Sequence, residues 1–180
     1  GTQCHVVTVG KRCVAAASND TAPVLMTLGA QLELVSPRGV RYLTLDEFYV
    51  NDGVKNNQLA PDEILTRIRI PRPSANTRMA YQKLRVRGAI DFPMLNMALS
   101  FIEKDGDVSD MQLVFSAIAA RPRRIKRLPS GPLNAQLVDA VAEQAFKSVR
   151  PLTNINGDVV WRREMAPTLV RQAFASLETV

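Results

Sequence analysis

Histidine and cysteine are scarce in this 180-residue sequence, which contains one histidine, His5, and two cysteines, Cys4 and Cys13. Two cysteines cannot form a disulfide framework. The histidine has no acid or nucleophile partner at the spacing of a known catalytic motif, and no glycine-rich phosphate-binding loop is present. The residue types alone therefore do not define a catalytic site.

Aromatic residues are also few, with six Phe, three Tyr and one Trp scattered along the chain. This excludes the aromatic stacking surfaces that single-stranded nucleic-acid binders use, so we expect no nucleic-acid partner. No apolar run approaches the roughly 18 residues that a membrane-spanning helix needs. The sequence does not open with a basic segment followed by an apolar one. We therefore expect a cytoplasmic protein without a membrane span.

Positive charge is in excess, because 23 Lys and Arg residues face 17 Asp and Glu residues, for a net charge of +6. An excess of this kind indicates association with an acidic partner and carries no information about the fold. Five of the cations are close together in the sequence, at Arg121, Arg123, Arg124, Lys126 and Arg127. They are consistent with a solvated or docking face and with an anion-binding site.

Hydrophobic periodicity predicts an α+β fold. The expected order is a helix from Thr21, a β-hairpin over 31–43, a short helix from Thr44, strands near 63–70, 79–86, 96–103 and 108–119, and helices near 134–149 and 164–178. Lys104-Asp105-Gly106-Asp107 is typical of a hairpin turn. Pro167 suits the first turn of a helix, so we expect the last helix to begin near Glu164.

A proline-rich break at residues 71–76 separates two predicted units. We expect one unit over residues 1–72. The other, over residues 78–180, is predicted to be a three-stranded antiparallel sheet packed with helices, because the apolar period changes from two to 3.6 along it.

The two cysteines have the spacing Cys-x8-Cys. Iron–sulfur clusters generally take four thiolates, and a structural zinc site takes four ligands. Cys4 and Cys13 supply two, and His5 adds a third at most. On spacing alone, metal ligands and plain structural thiols both remain open.

Several short motifs follow one another along the chain. They are Asn19-Asp20-Thr21-Ala22-Pro23, Asp62-Glu63-Ile64-Leu65, Ile70-Pro71, Tyr81-Gln82-Lys83, Arg85-Val86-Arg87 and Asp91-Phe92. In their order and spacing, these motifs resemble the FAD-binding subunit of molybdenum hydroxylases, and the resemblance covers nearly the whole chain. That family includes xanthine dehydrogenases, carbon monoxide dehydrogenase and 4-hydroxybenzoyl-CoA reductase.

The resemblance implies that Asp20, Leu65 and Lys83 contact FAD. A carboxylate can accept hydrogen bonds from ribityl or ribose hydroxyls, a leucine can supply an apolar wall and backbone groups, and a lysine can lie near the electron-rich part of the cofactor. The residues also have plainer interpretations. Asp20 suits a helix N-cap, Leu65 a core position, and Lys83 a charge at the edge of a strand.

Cys4 and Cys13 resemble the last two of four cysteines that hold an extra [4Fe-4S] cluster in the β subunit of 4-hydroxybenzoyl-CoA reductase. The stretch Val159-Val160-Trp161-Arg162-Arg163 resembles the same branch. The family's upstream pyrophosphate-binding motifs are absent here. Residues 1–72 therefore resemble the end of the second FAD subdomain, and residues 78–180 resemble the family's C-terminal domain.

The resemblance implies an oxidoreductase subunit that is inactive as an isolated chain. Such a subunit relays electrons between FAD, Fe–S centres and a molybdenum cofactor. Its partners are a molybdenum-cofactor subunit and a [2Fe-2S] subunit, with ferredoxin or another carrier as the electron donor. The alternative is a truncated, basic docking module with no redox role.

Overall fold

The described part of the chain forms four helices and eight strands. In the computed structural model this part comprises residues 4, 6–7, 12–153, 155 and 157–178. The elements are α1 (Thr21–Thr27), β1 (Gln31–Ser36), β2 (Gly39–Thr44), α2 (Leu45–Phe48), β3 (Ile64–Arg69), β4 (Thr77–Leu84), β5 (Leu95–Lys104), β6 (Asp107–Ser116), β7 (Arg123–Arg124), β8 (Gly131–Pro132), α3 (Ala135–Ser148) and α4 (Val159–Glu178). No helix in these residues is both long and apolar enough to cross a membrane.

The first sheet has three antiparallel strands in the order β2-β1-β3. Strands β1 and β2 form the predicted hairpin, and Gly39 takes a φ of +121° at its turn, a conformation that favours glycine. Helix α2 follows at once, because Thr44 and Glu47 form a capping box in which each side chain bonds the backbone of the other residue. Strand β3 is exposed along its whole length.

The second sheet runs in the order β4-β5-β6-β7, and β8 also pairs with β6. Its three long antiparallel strands are the ones expected from the sequence. The β5–β6 turn is built on Asp105 and Gly106, which both have positive φ, as a two-residue hairpin turn of the Asp-Gly type requires. The two-residue strands β7 and β8 extend the sheet and are too short to produce a periodic pattern.

Both faces of the second sheet are covered. Helices α3 and α4 pack on one face, where the rings of Phe101 and Phe174 stack with centroids 5.5 Å apart. Helix α1 packs on the other face against β5 and β6, and the Ser100 hydroxyl donates to the Thr27 carbonyl at 3.1 Å. This explains why most of β5 is buried without alternation. The mixed α+β architecture is confirmed, and the division at residues 72 and 78 stays a prediction.

Helix α4 begins earlier than its sequence predicts. The predicted first turn near Glu164 is wrong, because α4 starts at Val159 and Pro167 lies inside it. The early turn is held from outside the helix. The Asp158 carboxylate accepts from the Trp161 amide at 2.8 Å, and the Arg162 guanidinium bonds three carbonyls of neighbouring segments. These contacts offset the backbone hydrogen bond that a proline removes.

Candidate functional site

The Asp20 carboxylate, just before α1, is the centre of a polar cluster. Its Oδ2 atom lies 2.6 Å from Lys83 Nζ. Its Oδ1 atom accepts from the Tyr81 hydroxyl at 2.9 Å and from Asn96 Nδ2 at 3.3 Å. Tyr81 and Lys83 are on β4 and Asn96 is on β5. The cluster therefore ties the first turn of α1 to the second sheet, and it brings together two of the three predicted cofactor-binding residues.

Asn19 makes the helix-capping hydrogen bonds that were one interpretation of Asp20. The Asn19 Oδ1 atom accepts from the Thr21 amide at 3.0 Å and from the Ala22 amide at 2.9 Å. The Asp20 side chain makes no capping hydrogen bond, so its interpretation as a side-chain cap is wrong. The Asp20 carboxylate is thereby left for contacts outside its own helix.

Asn96 is fully buried and only half satisfied. Its Nδ2 atom is within hydrogen-bonding distance of the Asn19 carbonyl (3.0 Å), the Tyr81 hydroxyl (3.1 Å) and Asp20 Oδ1 (3.3 Å). Its Oδ1 atom is buried and has no hydrogen-bond partner among the described residues. Buried acceptors are normally paired, so this atom is a free acceptor beside the cluster. Nothing in the sequence marks Asn96 as a site residue, because a polar residue in a strand carries no motif.

Lys83 also anchors the loop over residues 85–91. Its Nζ atom donates to the Asp91 carbonyl at 2.7 Å. Asp91 Oδ2 accepts from the amides of Val86 and Arg87 at 2.9 Å each, and the hydrogen bond from the Arg87 amide is the main cause that lowers the pKa of Asp91. Asp91 is therefore a turn carboxylate. The loop carries the strongly exposed Ile90 beside this anchor.

An open groove of about 500 Å³ begins at the Asp20 cluster. Its walls are largely apolar and come from α1, the end of β3 and β4. The lining residues are Asp20, Thr21, Val24, Leu25, Leu28, Ile68, Ile70 and Tyr81. Burial is the main cause that raises the pKa of Tyr81 to about 12. Tyr81 therefore remains a neutral hydroxyl at physiological pH and donates to Asp20.

Leu65 lies on β3, the strand that also contributes Ile68 to the groove, but Leu65 itself does not line the groove. It pairs with Leu34 across β1 and β3 and is 39% exposed, so it is not the core residue of its plainer interpretation. Ile68 and Ile70, further along the chain, line the groove instead. Both isoleucines belong to the strand predicted near 63–70, where nothing in the sequence marks them as site residues.

The two cysteines lie in segments that approach each other. Cys4 Sγ accepts from the Val7 amide at 3.3 Å, and Cys13 Sγ accepts from the Ala15 amide at 3.4 Å. The Val7 amide is the main cause that lowers the pKa of Cys4. The amide of Val14, the residue after Cys13, contributes to the same effect, so the two segments are in contact. No three His, Cys, Asp or Glu side chains group as metal ligands within the described residues, and His5 lies outside them.

Two sequence families match the chain in succession. Residues 6–73 match the FAD binding domain in molybdopterin dehydrogenase, and residues 79–177 match the CO dehydrogenase flavoprotein C-terminal domain. The chain belongs to the flavoprotein-subunit family of the molybdenum hydroxylases. The family resemblance stated from the sequence motifs is therefore confirmed, whereas closeness to the 4-hydroxybenzoyl-CoA reductase branch is not shown by these matches.

Individual relatives agree with this assignment. A putative xanthine dehydrogenase FAD-binding subunit of Escherichia coli (strain K12) is 28% identical over 171 residues, which cover 92% of this chain and 58% of the relative. The carbon monoxide dehydrogenase medium chain of Afipia carboxidovorans is 27% identical over 159 residues, which cover 86% and 54%. The chain thus spans a little over half the length of these curated relatives.

Solved structures show the same fold. Carbon monoxide dehydrogenase from Hydrogenophaga pseudoflava matches with a TM-score of 0.82 at 22% identity, over 92% of this chain and 58% of that one. Quinoline 2-oxidoreductase from Pseudomonas putida 86 matches with a TM-score of 0.78 at 20% identity, over 92% and 57%. At these identities the likeness concerns the fold alone.

Proposed function

We propose that this chain forms one side of the FAD site in a flavoprotein subunit that relays electrons between FAD and the Fe–S and molybdenum centres of partner subunits. The ion pair between Asp20 and Lys83 carries the proposal. Asp20 lies in the region that matches the FAD-binding domain, and Lys83 lies in the region that matches the flavoprotein C-terminal domain. A bound flavin supplies reversible electron transfer there.

The residues around Asp20 fit a flavin. The groove has apolar walls for a ring system and a single carboxylate at one end. Asp20 is 47% exposed on its side chain, so it can still accept hydrogen bonds from ribityl or ribose hydroxyls. By resemblance, Leu65 adds an apolar contact and backbone groups at a position outside the groove.

Each polar residue of the cluster has a distinct role in this proposal. Tyr81 donates its hydroxyl to Asp20 and so orients the carboxylate. Lys83 compensates the carboxylate charge and places a cation near the electron-rich part of the cofactor. Because Lys83 also holds the Asp91 carbonyl, it couples the loop over residues 85–91 to the site. That loop would then influence access of other electron carriers to the flavin.

We further propose that Cys4 and Cys13 supply two of the four thiolates of a [4Fe-4S] cluster in a complete subunit. Backbone amides that donate to Cys4 Sγ favour its thiolate form, and the thiolate is the form that binds iron. Two thiolates leave half of the ligand shell empty. We therefore expect no stable cluster on this chain alone.

The same resemblance favours a 4-hydroxybenzoyl-CoA reductase-like complex in the cytoplasm. In such a complex ferredoxin or a similar carrier feeds electrons to this subunit. An aromatic acyl-CoA is then reduced at the molybdenum cofactor of another subunit, beside a [2Fe-2S] subunit. No residue of this chain needs to contact that substrate.

A flavin titration tests the proposed site. The sample is a fusion protein in which the unmatched part of the E. coli relative is joined to the N-terminus of this chain. The quenching of flavin fluorescence measures FAD binding. Asp20→Asn removes a charge-assisted hydrogen-bond acceptor, so we expect FAD affinity to fall about tenfold. Asp62→Asn is the matched control, because Asp62 is also ion-paired and similarly exposed. It should leave the affinity unchanged.

The outcomes separate the two functions that the sequence leaves open. A fusion that folds but binds no flavin would contradict the proposal and support a docking module without a redox role. Equal effects of the Asp20 and Asp62 substitutions would place FAD elsewhere. The 180-residue chain alone should bind FAD weakly or not at all, because few contacts must offset the cost of ordering a large ligand.

A further inference from the structure

A second cavity, of about 610 Å³, lies where the segment after β6 meets the C-terminal end of α3. It shares no lining residue with the groove at Asp20. Its wall is rich in cations and contains no acidic residue. The five cations are Arg123, Arg124, Lys126, Arg127 and Arg150. This arrangement is unlike an ordinary protein surface, where charges of both signs are interspersed.

Only one of the five cations is neutralised within the described residues. Arg124 lies 2.6 Å from the Asp46 carboxylate. Arg123 donates to the neutral amide oxygen of Asn51 at 3.1 Å. Within the residues that the structure describes, no carboxylate comes within 4.0 Å of Arg123, Lys126, Arg127 or Arg150. Among the described residues, four positive charges therefore border the cavity without a counterion.

A further arginine increases this imbalance. Arg121 has a buried Nε atom with no hydrogen-bond partner among the described residues. Burial is the main cause that lowers the pKa of Arg123, and the nearby charge of Arg121 adds to it. Arg121 does not itself line the cavity, but an anion bound to the lining cations would offset the repulsion between these charges.

The rest of the cavity wall is apolar. Ile118, Ala119, Ala120, Ile125 and Leu152 contribute to it. The volume is in the range of small-molecule sites, which is about 300–1,000 Å³. The combination suits a molecule with a multiply charged anionic end and an apolar or aromatic body. Arginine forks match the oxygen atoms of a phosphate group in particular.

We propose that this cavity binds a small organic phosphate through Arg123, Lys126, Arg127 and Arg150. The phosphate group contacts the unpaired cations, and the body of the ligand lies against the apolar wall. The sequence is consistent with either a docking face or an anion-binding site for the basic cluster, and this proposal makes the cluster an anion-binding site. The cavity uses none of the groove residues, so Lys126→Ala should weaken binding at this site and Asp20→Asn should not.

Isothermal titration calorimetry of the 180-residue chain with AMP tests this site, with adenosine and inorganic phosphate as separate ligands at fixed ionic strength. We expect AMP to bind at one site per chain, adenosine not to bind, and inorganic phosphate to bind at least tenfold more weakly than AMP. Lys126→Ala should weaken AMP binding about tenfold. Lys104→Ala removes an exposed lysine at the end of β5 and should leave AMP binding unchanged.

Each alternative result would overturn the proposal. Binding of adenosine as tightly as AMP would make the cavity an apolar site. Equal affinity for inorganic phosphate and AMP would reduce it to an anion site with no organic ligand. An equal loss in the Lys126 and Lys104 variants would indicate non-specific attraction to a basic protein, and no binding of AMP would exclude the site.

Discussion

Arg162 provides a direct test of how α4 is attached to the second sheet. It is fully buried, and its guanidinium donates to three backbone carbonyls. Nε bonds the Met94 carbonyl at 3.0 Å, Nη1 the Leu152 carbonyl at 2.8 Å, and Nη2 the Ala117 carbonyl at 2.7 Å. These carbonyls belong to segments just before β5, between α3 and α4, and just after β6. One side chain therefore joins three segments to α4.

Arg162→Met keeps a long apolar side chain but removes every donor. Each carbonyl that loses its donor costs about 1–2 kcal/mol, so three cost about 3–6 kcal/mol. Part of this loss is offset, because the substitution also removes a buried charge. Burial disfavours that charge and lowers the pKa of Arg162. We expect a net loss of about 3 kcal/mol in the free energy of unfolding. For a chain of this size the Tm should fall by about 6–12 °C.

Urea unfolding followed by far-ultraviolet circular dichroism measures the change. Arg163→Met is the matched control, because the neighbouring Arg163 donates to a single carbonyl, that of Phe146, at 3.1 Å. It should cost about 1 kcal/mol or less. Arg162→Lys retains a donor and should fall between Arg162→Met and the unmodified protein, which keeps the test informative if the methionine variant does not fold.

A methionine variant within about 1 kcal/mol of the unmodified protein would refute the anchoring role of Arg162. An equal loss of stability in the Arg162 and Arg163 variants would refute it as well. Either result would mean that Pro167 is accommodated by α4 itself, without the anchor at Arg162.

Two further predictions concern titration. The hydrogen bond from Arg41 is the main cause that lowers the pKa of Glu63 to about 2, from an ordinary value of 4.5. The ionised Glu63 therefore stabilises the fold above pH 4.5, and this contribution is lost as the pH falls from there to about 2. The Tm should fall more steeply in the unmodified protein than in Glu63→Gln over that range, and parallel curves would contradict this. For Cys4, the Val7 amide lowers the thiol pKa from 9.0, so its alkylation by iodoacetamide, read by peptide mass spectrometry, should reach half its maximum rate below pH 9.0. A midpoint at or above that pH would count against the structure around Cys4.

The elements that the sequence predicts correctly are those whose signals are local. The β5–β6 hairpin depends on Asp105 and Gly106, two adjacent residues that take positive φ. Helix α2 depends on Thr44 and Glu47, which cap it at a spacing of three residues. In both cases the residues that determine the structure are neighbours in the chain, so a short window of sequence contains the whole cause.

The proposed cofactor-binding positions are predicted in a different way. Asp20 and Lys83 were identified by motif resemblance, and their contact joins residues 63 positions apart. Local reasoning favoured Asp20 as a helix cap, because aspartate and asparagine both suit that role. Asn19 makes those bonds instead. Which of the two residues caps the helix depends on the second sheet, because Lys83 and Tyr81 on β4 bind the Asp20 carboxylate.

The sequence by itself therefore determined the α+β class, the hairpins, the two long C-terminal helices and, by resemblance, the family. Only the tertiary structure decided that α4 begins at Val159, that Asn96 stands beside Asp20, and that Leu65 is separate from the groove. The physical reason is the same for each. A partner from a distant segment, such as the carbonyls around Arg162 or the carboxylate facing Lys83, changes the balance between local alternatives of similar energy.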